Sequence, residues 1–171
     1  MYELKSNEKS TDVIIYTADS LIYGQVVTRD IVPVHILLRT EGAPTYLHLL
    51  NAKIIRPANA SKITKLPELF FPVAEAVGFH VAPNVEASVD YDEGEENRRM
   101  FPVKVIMGIF FLDSKIRIST KTELDTTLEV SRATWLSLYD VRVSCSYLAQ
   151  MNVFSSMILV RPEKTAFGLT E

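Results

Sequence analysis

Three histidines, His35, His48 and His80, are the side chains best suited to acid–base or metal chemistry, because imidazole titrates near neutrality and binds transition metals. If Glu41 and Gly42 form the tip of a two-residue hairpin, His35 and His48 fall opposite one another on adjacent strands. Two cross-strand imidazoles fill two corners of a metal site, yet a third ligand is required and the spacing supplies none. A metal-dependent enzyme would need a carboxylate such as Asp30 to converge on the same pocket. The competing reading makes His35 and His48 solvent-facing strand residues that alternate with inward Leu37, Leu47 and Leu49. The chain has no glycine-rich phosphate loop, nucleophile elbow, Cys-x-x-Cys pair or His-Glu-x-x-His run, so no catalytic residue, metal or cofactor is assigned. The acidic run Asp90-Tyr91-Asp92-Glu93-Gly94-Glu95-Glu96-Asn97 lacks the ligand order of a calcium loop and reads as solvated chain. Cys145, the one cysteine, falls on the apolar side of an alternating run with Val141, Val143 and Tyr147, as a small buried hydrophobe would.

Composition narrows the function classes further. Hydrophobic residues make up 47% and charged residues 23% of the 171 positions, enough apolar material for a packed core. The formal charge of -3 gives no long-range attraction for phosphate backbones, so nucleic-acid binding ranks low without being excluded. The moderately basic stretch is Lys53, Arg56, Lys62 and Lys65. A polar N-terminus without an apolar h-region, and apolar runs far shorter than the roughly 20 residues of a membrane helix, point to a cytoplasmic protein with no membrane partner.

The chain also resembles itself. Leu21-Ile22-Tyr23-Gly24-Gln25-Val26-Val27 aligns with Val105-Ile106-Met107-Gly108-Ile109-Phe110-Phe111, which places Gly24 on Gly108. Thr45-Tyr46-Leu47-His48-Leu49-Leu50-Asn51-Ala52-Lys53-Ile54 aligns with Thr134-Trp135-Leu136-Ser137-Leu138-Tyr139-Asp140-Val141-Arg142-Val143 and is the stronger match. A weaker correspondence sets Phe71-Pro72-Val73 and Gly78 against 159–162 and Gly168. These blocks keep their order, as a tandem duplication requires. The expected organisation is one unit over 1–82, an acidic linker or long loop over 83–99, and a second unit over 100–171.

Short runs rich in Val, Ile, Thr, Tyr and Phe and bounded by Gly, Pro, Asp and Asn predict strands. They fall at 12–16, 21–28, 32–39, 45–50 and 52–56 in the first unit, and at 103–112, 114–120, 126–131, 134–138 and 141–147 in the second. Segment 66–79 is ambiguous between helix and strand, and its match to 155–168 favours a strand followed by a loop. Five short strands per unit predict a mainly β fold of two tandem small barrels, partly open, packed as a pseudo-dimer. Gly24 and Gly108 then serve as structural residues where a long second strand bends.

A bent strand with a central glycine, followed by a leucine-rich strand ending in Asn51-Ala52 or Asp140-Val141, resembles the Sm/SH3-like small barrels. It is also similar to an uncharacterised bacterial domain family of unknown function. The resemblance rests on 21–27 with 47–54 and on 105–111 with 136–143, about a fifth of the chain. It implies the fold and not the activity, because the asparagine and basic residues with which Sm-type proteins bind uridine have no counterpart here. Asn97-Arg98-Arg99-Met100-Phe101-Pro102-Val103 is similar to the arginine-bearing entry of PilZ barrels, but the second arginine of that motif is replaced by Pro102 and Val103. Arg98 and Arg99 are therefore expected to balance the acidic linker.

The function expected from these residues is a non-enzymatic protein-interaction or assembly module that self-associates or binds another protein through open strand edges. Tyr46 and Trp135, at matching places ahead of the leucine-rich strand, are its candidate interaction residues, although a core position also suits Trp135. The alternatives are a single-stranded nucleic-acid-binding barrel and the metal-dependent enzyme using His35 and His48.

Overall fold

The computed structural model describes residues 2–82 and 89–169. Ten strands form a single open antiparallel sheet, and the protein is mainly β. The first half contributes β1 (Glu8–Tyr16), β2 (Leu21–Arg29), a one-turn helix α1 (Val34–Leu37), β3 (Tyr46–Ile55), β4 (Ile63–Pro72) and β5 (Gly78–Val81). The second half runs β6 (Arg98–Met107), β7 (Phe110–Ser119), α2 (Leu124–Val130), β8 (Leu136–Cys145), β9 (Val153–Val160) and β10 (Thr165–Leu169). In space the order is β10-β6-β7-β8-β9-β5-β1-β2-β3-β4. Each half is thus a four-strand meander whose fifth strand returns to the free side of its first, and the halves meet where β5 pairs with β9.

Alternation of apolar and polar side chains sets the inner faces. In β2, Ile22, Val26 and Thr28 are buried; in β7, Leu112, Ile116 and Ile118 occupy the corresponding places. Both halves carry a bulge at the same point. Asn51 and Ala52 together oppose Gly24, as Asp140 and Val141 together oppose Ser114, and Asn51 and Asp140 both have positive φ (52° and 50°). An extra left-handed residue bends its strand and tightens the local twist, which lets each meander curl around its core.

Several sequence expectations fail for identifiable reasons. Gly24 is not the counterpart of Gly108: Gly24 lies inside β2, whereas Gly108 (φ 59°) forms the turn between β6 and β7 and splits the single strand expected over 103–112. Ser114 takes the place of Gly24, its hydroxyl donating to the Val103 carbonyl at 3.1 Å. The strands expected at 32–39 and 126–131 are α1 with its flanking loop and α2. Val34 with Leu38, and Leu124 with Leu128, set apolar side chains one helical turn apart toward the cores, a period that outweighs the β-branched Thr126, Thr127 and Val130. The pairs 45–50 with 52–56 and 134–138 with 141–147 are single strands, β3 and β8, interrupted only by their bulges. Segment 66–79 begins with the expected strand, but the expected loop is a short turn that leads at Gly78 into a further strand, β5.

Two cores result. One gathers Val13, Ile15, Ile22, Val26, Leu47 and Leu49 of the first half; the other gathers Val103, Val105, Met107, Phe110, Leu112 and Leu138 of the second. They exchange members at the join. Trp135 and Leu159 belong to the first-half core, while Ile14 and Tyr16 belong to the second-half core. Cys145 is buried in the second-half core with Val141 and Val143, whereas Tyr147 lies beyond the strand and is exposed.

Candidate assembly surface

The candidate site is best built from the join that already exists inside the chain. Gly78 pairs with Val160 and Phe79 with Leu159, and the Arg161 amide extends the ladder by donating to the Val77 carbonyl at 2.9 Å. Leu159 and Trp135 then project from the outer face of β9 and the start of β8 into the space bounded by α1 and β5, where Val34, Leu38 and Phe79 complete the same core. The Arg161 guanidinium lies 4.7 Å from the Trp135 ring centre and donates to the Val73 carbonyl at 3.0 Å. A second contact lies at the turns: the Ile109 amide donates to the Ala18 carbonyl at 3.0 Å, so close that a Cβ on Gly108 would overlap Ala18.

Asp90 ties the halves a third time. Its carboxylate accepts from Tyr139 (2.6 Å), from Ser137 (2.8 Å) and from Arg39, which also donates to Ser137. Burial pushes the Asp90 carboxyl up, but the bonds from Tyr139, Ser137 and Arg39 outweigh it and hold the group below the usual carboxylate range. Tyr91 packs edge-on against Tyr139 at 4.9 Å, and Arg117 covers Tyr91 while donating to Glu95 (2.6 Å) and to the Asp92 carbonyl (2.7 Å). The described part of the expected acidic linker, 89–97, is largely exposed and has neither strand nor helix, and Asp90, Tyr91 and Glu95 anchor it to the second half. Residues 83–88 of the expected linker lie outside the described residues. Among the described residues Arg99 pairs with Glu123 at 3.2 Å and it is Arg117 that pairs with Glu95 of the acidic segment, at 2.6 Å.

The histidines do not converge. Glu41 and Gly42 do lie in a turn, but it belongs to the connection between α1 and β3, so no hairpin sets His35 against His48. His35 sits in α1, where burial and the charge of Arg39 lower its pKa against the opposing pull of Asp90. His48 sits on the outer face of β3 between inward Leu47 and Leu49, stacked on Phe70 at 4.7 Å, edge-on to Tyr2 at 4.6 Å and 3.0 Å from Glu68. His80 is buried: Nδ1 donates to the Val81 carbonyl at 2.8 Å and Nε2 accepts from the Tyr16 hydroxyl at 3.0 Å. Burial lowers its pKa to about 4, against the opposing effect of the Val81 bond, and leaves the ring neutral. Among the described residues no group of three His, Cys, Asp or Glu could hold a metal ion. Asp30 meets neither His35 nor His48 by a hydrogen bond; its described bonds are through its backbone, to Asn7 and Lys9. Lys53 and Lys65 do face each other across β3 and β4, with Lys53 over the Tyr23 ring at 5.7 Å.

The two aromatic candidates part company. Trp135 is 4% exposed at the internal join, whereas Tyr46 is 56% exposed on the outer face of β3. The same holds one strand further: Leu159 is 1% exposed, and Phe70, its counterpart on β4, is 62% exposed. Beyond β4 and beyond β10 no further strand follows among the described residues. Beside β10 a groove of about 450 Å³ opens between that strand and α2, lined by the apolar Phe101, Leu124, Leu128, Phe167 and Leu169 and by the acidic Glu123 and Asp125. No helix among the described residues is long and apolar enough to cross a membrane, which says nothing of strands.

Comparison of the chain with protein-family models, curated proteins and solved structures finds no match.

Proposed function

We propose that this chain is a non-enzymatic assembly module, a duplicated pair of small-barrel units whose open strand edges accept a further strand from a protein partner. One observation carries the reading: the two halves are themselves held together by strand addition, β5 onto β9, and the matching edges β10 and β4 are unpaired among the described residues. A row of free amides and carbonyls on an edge strand is a template for another strand, and flanking side chains supply the selectivity. β4 carries Lys62, Lys65, Pro67 and Glu68 at or beside its exposed length, features that keep an edge from pairing indiscriminately.

Hydrogen exchange on the labelled full chain, in buffer and in clarified extract of the source cells, tests the reading. Protection that develops along β4 or β10 in the extract or at high concentration is the expected result. Unchanged exchange at both edges under every condition, or bound nucleic acid that salt strips away, would overturn it.

A further inference from the structure

The open edges are chemically the unused copies of the two surfaces that meet at the internal join. Aligning the bulges places Trp135 on Tyr46 and Leu159 on Phe70, and aligning β5 with β10 through their partners β1 and β6 places Phe79 on Phe167. The helices follow, with Leu124 and Leu128 standing where Val34 and Leu38 stand. The site that receives Trp135 and Leu159 in the first half is therefore the groove beside β10 in the second half, with matching apolar walls to which Glu123 and Asp125 are added, and unfilled by the described residues. The residues that would fill it, Tyr46 and Phe70, are exposed at the other end of the sheet.

Resting on the edge-strand reading above, we propose that the partner is a second copy of this chain, docked head to tail. β4 of one copy extends the sheet beyond β10 of the next, and Tyr46 and Phe70 seat in the groove between α2 and β10. Polar groups agree with this arrangement. At the internal join Arg39 meets Ser137; in the docked pair the corresponding residues are Glu129 and His48, an acid facing an imidazole. The contact is weaker than the internal one, because Pro72 stands where Arg161 donates to Val77 and has no amide hydrogen to give. Glu68 also occupies the place of the buried Met157. Assembly is thus concentration-dependent, and because the contact is heterologous it closes into a ring or continues as a filament according to the rotation per copy.

Light-scattering mass of the full chain over a range of concentrations, compared with Tyr46→Glu and Leu169→Glu, provides the test. Both substituted positions are exposed, and unchanged melting temperatures will show that the variants fold. Wild type is expected to exceed the mass of one chain, and each variant to need at least about tenfold higher concentration to do so, the equivalent of about 1.4 kcal/mol. A mixture of the two variants is expected to form a one-to-one pair and stop there, since one retains an intact groove and the other intact aromatics. If wild type associates but the variants match it, or their mixture forms no pair, head-to-tail docking is overturned while edge pairing stands. If wild type stays monomeric at all concentrations, the second copy is overturned as partner, and the hydrogen-exchange result in extract alone decides the edge reading.

Discussion

β1 and β6 hold the same place in their respective halves, yet their burial differs. Val13, Ile14, Ile15 and Tyr16 of β1 are all buried, whereas in β6 Val103, Val105 and Met107 are buried and Lys104 and Ile106 between them are not. The inner faces match, so the difference arises entirely on the outer face. Ile14 and Tyr16 are covered because the second half curls against them, and Lys104 and Ile106 look outward because nothing among the described residues packs on that face of β6. The contrast between Trp135 and Tyr46 has the same origin. Two stretches of similar pattern become core or surface according to which side of a join they occupy.

The largest expected effect comes from breaking that contrast. Trp135→Ala should cost about 3–5 kcal/mol in urea unfolding, as removal of a buried aromatic does, while Tyr46→Ala should stay within about 0.5 kcal/mol for a dilute monomer. Similar losses at the two positions would show that the join is not where the energy lies. Gly108→Ala comes next, at about 2–3 kcal/mol, because it combines a positive φ with overlap against the Ala18 backbone. Gly78→Ala, whose added methyl would overlap the flexible end of the buried Met107 side chain and touch the Tyr16 ring without clash, should cost about 1 kcal/mol.

A pH titration sharpens the comparison between His80 and Gly168, its counterpart in β10. The folded pKa of about 4 lies below the ordinary 6.5, so the unfolded chain takes up the proton first. Stability is fully present above pH 6.5 and falls as the pH drops toward 4, with a loss of about 2 kcal/mol by pH 5. Denaturant midpoints for wild type and His80→Gln should differ in slope against pH between about pH 4 and 6.5, and parallel curves there would remove His80 as the cause. The smallest effect is at the paired bulges: Asn51→Gly should change stability by less than about 0.5 kcal/mol, because relief of the positive φ is offset by loss of the 3.2 Å bond that Asn51 donates to Gln25. Asp140→Gly should behave alike, since it gives up the exposed 2.8 Å contact with Lys115 in the same exchange.

One internal alignment of the sequence carries much of the join and of the open edge that matches it. Matching 45–54 with 134–143 placed Tyr46 on Trp135 and Asn51 on Asp140, and the latter pair proves to share its unusual backbone conformation. The glycine alignment misled because Gly24 and Gly108 answer different needs, close approach of a neighbouring strand at a bulge and a positive φ in a turn. Helices were missed at 34–37 and 124–130 because they are short, and in short segments residue preference speaks louder than period. Asp90 was passed over because a carboxylate in an acidic run looks solvated until Arg39, from the far half, is seen beside it.

The amino-acid sequence by itself determined that the protein is mainly β, that its inner faces alternate along each strand, and that Leu47, Leu49, Val141, Val143 and Cys145 point inward, since strand period acts within a few residues. Only the tertiary structure decided that the two halves share one sheet, that Trp135 is core while Tyr46 is surface, and that β4 and β10 are the edges. Those outcomes depend on which strand lies alongside which, and pairing between residues some 80 positions apart, such as Phe79 with Leu159, leaves no local mark on either segment.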